Sequence, residues 1–200
     1  MLSSAGIRDV VVVVGFARDR IAAAIGNTAT LCHNPDFRNT GSIHSLQMAA
    51  DFLEGDVVVL NSDLVFTARM LTELCALDRP CAVSLYPWQR STANVGTVLS
   101  GDAVLDIGRH IAPGDSAAVF SGAARVRADT IHLFKKAVLQ CDPHRTNVGW
   151  SSAFVAMIRD GCPVSACVHD GPVFDVNSVA RYTAARSFVA AEHGVTADTR

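Results

Sequence analysis

Two short acidic segments hold the residues best placed to do chemistry. Asp56-Val-Val-Val-Leu60-Asn-Ser-Asp63 sets four apolar residues ahead of small polar ones and a carboxylate. Phe174-Asp175-Val176-Asn177 places a second carboxylate far downstream. The apolar run reads as a strand buried on both faces. In an open α/β sheet, ligands bind beyond the carboxyl ends of the strands, which is where Asp63 would stand. Two carboxylates so far apart can share one Mg²⁺ if the fold joins them, and that pairing points to nucleotide chemistry. Taken singly, each has an ordinary reading. Asp63 is then a cap or turn residue. Asp175 is a turn, with Asn177 capping the final helix.

Composition narrows the class. A chain of 200 residues, half of them apolar, with a net charge of −2, can bury the core of one domain. Nothing in the charge balance suggests nucleic acid, and no run of like charges marks a tail. The longest apolar stretch, residues 10–14, is too short to span a bilayer. Met1 leads straight into a polar turn and a strand, which predicts no signal peptide. The six cysteines form no C-x-x-C pair, as expected of reduced thiols in a cytoplasmic protein. Cys167 and His169, near Cys162, lack the second half of a zinc site and read as strand filler.

The elements that must position the carboxylates alternate between strand and helix. Residues 9–14 read as a buried strand, 17–25 as a short helix stopped by Gly26, and 28–32 as a second strand. Ser42 reads as the N-cap of a helix whose face carries Ile43, Leu46, Ala50 and Leu53. Thr67 caps a helix running to about residue 77, and 81–86 return as a strand. Strand-like runs follow at 95–99, 103–107 and 117–126, with Ser100-Gly101-Asp102 as a hairpin turn. Asp129 caps a helix bearing Ile131, Phe134 and Val138. Residues 150–159 read as a helix, 163–168 as a strand, and 177–192 as the closing helix. One α/β domain over residues 1–200, with a mixed sheet flanked by helices, is the expected fold.

With these elements in place, four motifs in order carry a resemblance. They are Ala5-Gly6-Ile7-Arg8-Asp9-Val10 leading to Val13-Val14-Gly15-Phe16; Asn34-Pro35-Asp36-Phe37 with Asn39-Thr40-Gly41-Ser42-Ile43-His44-Ser45-Leu46; Leu60-Asn61-Ser62-Asp63-Leu64-Val65-Phe66; and Phe174-Asp175-Val176-Asn177 followed by Val179 and Tyr182. Together they resemble nucleotidyltransferases of the sugar-phosphate and phosphocholine cytidylyltransferase type. The resemblance implies a Rossmann-like mixed sheet, nucleotide-diphospho-sugar transferase-like. It implies transfer of a nucleotidyl group from an NTP, CTP above all, to a small phosphate, phosphonate or sugar phosphate, releasing pyrophosphate. It assigns Mg²⁺ to Asp63 and Asp175, and ribose or base contacts to Asn39, Ser42 and Ser45. Trp88 in Tyr86-Pro87-Trp88-Gln89 and Trp150 in Asn147-Val148-Gly149-Trp150 fall where the family binds its acceptor.

The chain departs from the family at its start. The family opens with a strand and a Gly-rich loop that cradles the triphosphate, followed by a Lys. Neither G-x-G-x-x-G nor G-x-x-x-x-G-K occurs here. The first strand and loop are therefore expected to be absent, which leaves three readings side by side: a lost start, a loop supplied by another polypeptide, or a chain that no longer catalyses. The missing strand would lie between the strands at 10–14 and 57–60, so unpaired edges are expected there, and the chain is expected to be destabilised, to pair these edges with a second copy or a partner chain, or to close the gap by moving the two strands together. Ser121-Gly122-Ala123-Ala124 puts small residues where phosphocholine enzymes offer an aromatic, so a phosphonate or phosphosugar fits as well as choline. Two rival functions are a metal-dependent glycosyltransferase, against which Asn61-Ser62-Asp63 lacks the first Asp of D-x-D, and a non-catalytic nucleotide-binding module.

Overall fold

Runs of valine and leucine make the strands, and their alternation sorts side chains between two apolar cores. The computed structural model describes residues 2–88, 95–145 and 149–193. In chain order the elements are β1 (Val11–Val14), α1 (Arg18–Ile25), β2 (Thr30–His33), α2 (Ser42–Met48), β3 (Val57–Leu60), β4 (Leu64–Val65), α3 (Ala68–Ala76), β5 (Cys81–Tyr86), β6 (Gly96–Ser100), β7 (Ala103–Gly108), β8 (Ala118–Val126), α4 (Ile131–Gln140), α5 (Ser152–Arg159), β9 (Ser165–Val168), β10 (Phe174–Asp175) and α6 (Val179–His193).

Six strands form one mixed sheet in the order β3-β8-β5-β9-β7-β6. β5 runs parallel to β9 and antiparallel to β8. Along β5, Cys81, Val83 and Leu85 face the larger core, where α4 and α5 pack through Phe134 and Phe154 with ring centroids 4.9 Å apart. Ala82 faces the second core, built on Met70, Leu71 and Leu74 of α3. The expected hairpin is the β6–β7 pair, and Gly101 takes φ +60° at its turn, a conformation that favours glycine. Among the described residues, no helix is long and apolar enough to cross a membrane.

β1 and β2 pair in parallel as a sheet of their own. β3 is the outer strand of the six-stranded sheet and, among the described residues, pairs with β8 alone. Among the described residues, each of β1 and β3 therefore has one unpaired edge, and the two strands do not close on each other. β3 is nonetheless covered on both faces. Val57 and Val59 pack on one core, and Val58 and Leu60 on the other.

Three expected caps move. The N-cap of α2 is Gly41, and Ser42 Oγ instead accepts the backbone N–H of Trp150 at 3.1 Å. The N-cap of α4 is Thr130, whose hydroxyl donates to Asp129 Oδ1 at 2.9 Å. At α6, Ser178 Oγ accepts the Arg181 N–H at 3.3 Å, while the Asn177 amide donates to Asp175 Oδ2 at 3.1 Å. Thr67 caps α3 as expected, accepting from the Met70 N–H at 3.2 Å. The helix expected to carry Ile43 to Leu53 on one face stops at Met48, and a 3₁₀ turn at Ala50–Phe52 continues it.

Candidate active site

β3 ends at Leu60, and the chain turns through Asn61, Ser62 and Asp63 into β4. β4 pairs antiparallel with β10, so that Asp175 stands opposite Leu64 and Phe174 opposite Val65. The two carboxyl groups, distant in sequence, come within hydrogen-bonding reach. Asp63 is exposed and Asp175 half-buried. Burial first, then the charge of Asp63 and the hydrogen bond shared with it, hold the Asp175 proton on above the usual carboxylate range. Arg181 and Arg109 act in the opposite direction. Arg181 lies in the first turn of α6, and Arg109 directly follows β7. Tyr86, at the end of β5, shares this neighbourhood. Burial raises its hydroxyl pKa, Arg181 lowers it, and Asp175 raises it.

A bulge in β8 shapes the opposite wall. The β5–β8 register breaks between Val83 and Leu85, leaving Ser121, Gly122 and Ala123 against a single residue, Ser84. Gly122 takes φ +89°, and a Cβ there would lie 2.5 Å from Asn61 Nδ2. The Gly122 carbonyl accepts the Asn61 N–H at 2.8 Å, and Asn61 Oδ1 accepts the Trp150 indole N–H at 2.7 Å. A polar chain also links β8, β5 and the residue that follows β9. Ser84 Oγ lies 2.6 Å from His169 Nε2 and shares a hydrogen bond with Ser121 Oγ, all three residues being buried. Among the described residues, His169 Nδ1 is buried without a partner.

The sequence-derived residues separate into groups. Asp63 and Asp175 come together. Asn39 and Ser45 are held within the loop before α2 and the first turns of that helix. The Asn39 amide donates to Asp36 Oδ1 at 2.6 Å, and Ser45 Oγ accepts from the buried Asn34 amide at 3.2 Å. Ser42 is exposed. Trp88 is half-buried just beyond β5. Trp150 corrects the expectation of a ring open to the acceptor. It is 6% exposed, packed edge-on against Phe120 and Phe154, because the start of α5 turns it into the larger core. Asn147 and Val148 of its motif lie outside the described residues. Sequence reasoning passed over Arg109, Arg181, Tyr86 and the Ser84–His169 pair. The local signals for that pair were a serine inside the otherwise apolar β5 run and His169 itself, which read as strand filler beside Cys167.

No protein-family model matches the chain. Over 144 residues it is 28% identical to the CMP-5'-(3-aminopropyl)phosphonate synthase of Streptomyces rubellomurinus, a match covering 70% of this chain and 23% of that protein. The chain thus spans less than two thirds of that relative's length. Among solved structures it is similar to the CTP:phosphocholine cytidylyltransferase of Streptococcus pneumoniae, with a TM-score of 0.76 at 18% identity over 94% of this chain and 81% of that one. It is equally similar to the inositol-1-phosphate CTP transferase of T. maritima, with a TM-score of 0.77 at 12% identity over 98% and 81%. The chain therefore has the mixed α/β fold of these nucleotidyltransferases, the architecture its four motifs imply.

Proposed function

We propose that this chain transfers a nucleotidyl group from an NTP, CTP in this reading, to a small phosphonate or phosphate-bearing acceptor, with release of pyrophosphate. The observation that carries the reading is the meeting of Asp63 and Asp175 beside Arg109 and Arg181, where β3 and β5 end. The relative's phosphonate chemistry and the fold's likeness to CTP-using enzymes support it.

Mg²⁺ fits this pair. Both side chains offer hard oxygen donors, and among the described residues no third His, Cys, Asp or Glu joins them. A cation here would keep open positions for water and phosphate oxygens, the usual Mg²⁺ arrangement. When bound, it supplies neutralisation of charge on the phosphoryl oxygens. The rest falls to the chain's own side chains. Asp63 and Asp175 hold the cation. Arg181 and Arg109 attract the acceptor's anionic group and orient it for in-line attack. Ser42 accepts from Trp150 and retains a hydroxyl hydrogen for a ribose or base oxygen. Asn39 and Ser45 shape the loop beside it, and Trp88 borders the acceptor. Positioning and electrostatics suffice, so no covalent intermediate is needed.

The unpaired edges of β1 and β3 add a partner to this reading. A strand from a second polypeptide, or a second copy, would satisfy backbone groups that neither sheet pairs.

The test is pyrophosphate release from CTP with Mg²⁺ and 3-aminopropylphosphonate, phosphocholine or glucose 1-phosphate as acceptor. Acceptor-dependent release is expected. Transfer from a nucleotide sugar without pyrophosphate would replace this reading with glycosyl transfer, and nucleotide binding without turnover would leave a binding module.

A further inference from the structure

Asn61 is exposed, while the Trp150 ring it meets is 6% exposed. An indole N–H can only donate. The 2.7 Å contact with Oδ1 therefore fixes which end of the amide faces Trp150. The NH₂ end is turned away and lies against Gly122, in the space a Cβ would fill. The Asn61 backbone N–H is already committed to the Gly122 carbonyl. Among the described residues, Asn61 Nδ2 has no protein acceptor. One strand pins the main chain of Asn61 and a buried indole pins its side chain. The two N–H donors of that amide are left without a protein acceptor among the described residues, on an exposed residue two positions from Asp63.

We propose that Asn61 contacts the ligand in this site, donating from its amide to an anionic phosphoryl or phosphonyl oxygen. Trp150 is the positioning residue that keeps the amide in its donor orientation. A donor suits this place better than a carboxylate. Asp63 and Asp175 already supply negative charge, and a third acidic group would repel the ligand's oxygens. Gly122 belongs to the same device, since any side chain there would push the amide aside. The proposal rests on the nucleotidyl-transfer reading and names one group that would read its substrate.

Asn61→Asp keeps an oxygen for the Trp150 N–H and replaces the donors with a second oxygen. Asn61→Ala removes both functions. Trp150→Phe keeps the ring and deletes only the N–H. Each variant is titrated calorimetrically with CTP–Mg²⁺ and, separately, with 3-aminopropylphosphonate, and its thermal unfolding is followed in parallel. The expected result is a loss of about ten- to a hundredfold in affinity for one ligand in both Asn61 variants, the size of a hydrogen bond to a charged group. Which ligand weakens identifies the contact. Trp150→Phe should weaken the same ligand less, because a freed amide still reaches its place part of the time. Wild-type affinity for both ligands in folded Asn61→Asp would overturn the proposal. A parent chain that binds neither ligand would instead overturn the nucleotidyl-transfer reading, and this inference with it.

Discussion

The backbone N–H of Val176 donates to the carbonyl of Asp63 at 2.8 Å. This single bond, with the β4–β10 pairing, sets the two acidic segments side by side and leaves both carboxyl groups on one patch. A cost comes with the arrangement. Two carboxylates facing each other are strained until a cation or a proton intervenes.

Asp175→Asn should therefore stabilise the metal-free protein while abolishing metal dependence. The Asp175 pKa is raised in the folded state. The stability linked to its proton is present below the ordinary carboxylate value, about 3.9, and is lost as pH rises through the folded value. At neutral pH the carboxylate is thus a burden that Asn lifts. Each ~1 kcal/mol gained shifts Tm by about 2–4 °C in a chain of this size. Thermal unfolding with EDTA and with Mg²⁺ checks this. The parent should gain from Mg²⁺ and the variant should not, and a variant less stable in EDTA would count against the repulsive pair.

His169 should make the protein acid-sensitive. Burial holds its imidazole pKa below the ordinary value, with Glu73 and Asp170 opposing only in part. Stability from this group is present above the unfolded value, about 6.5, and lost as pH falls through the lower folded value. Ser84→Ala removes the partner of Nε2 in a ring whose Nδ1 is already unpartnered, and should cost about 1–3 kcal/mol. Urea unfolding on either side of that pH range reads both effects. A flat profile for the parent would show that the ring is not held neutral.

Gly122→Ala should disturb the site from behind. The new methyl meets Asn61 Nδ2 at 2.5 Å, on a backbone at φ +89°. Strain at such a φ costs on the order of 1–3 kcal/mol. Reduced Tm together with weaker ligand binding is expected. Unchanged binding in a folded variant would mean that the amide moves freely.

The open edges of β1 and β3 should be visible in solution. Hydrogen exchange at Val11–Val14 and Val57–Leu60 is expected to be fast in dilute protein for amides that face away from β2 and β8. It should slow where a second copy or partner chain covers them, with a matching change in mass by light scattering. Each buried backbone group left unpaired costs about 1–3 kcal/mol, so a few approach the ~5–15 kcal/mol stability of a whole domain. Uniform slow exchange in a monomer would refute the unpaired-edge picture.

What the sequence determined by itself was local. β5 was legible to the residue because Cys81–Tyr86 is an apolar run bounded by Pro80 and Pro87. The β6–β7 turn followed from Ser100-Gly101-Asp102, and the Thr67 cap of α3 from its place before an amphipathic run. In such stretches the deciding forces act within a few residues. The site was decided by tertiary structure. Asp63 and Asp175 were named as a pair only through their motifs, and their meeting depends on pairing between distant two-residue strands. Trp150 read as a candidate for ligand contact because aromatic side chains suit both pockets and cores. Its burial was settled by Phe120 and Phe154, which periodicity does not connect to it. Ser42 and Asp129 resemble caps in sequence, but a hydroxyl or carboxylate takes whichever donor the folded chain brings nearest. For Ser42 that donor is the N–H of Trp150, from across the molecule.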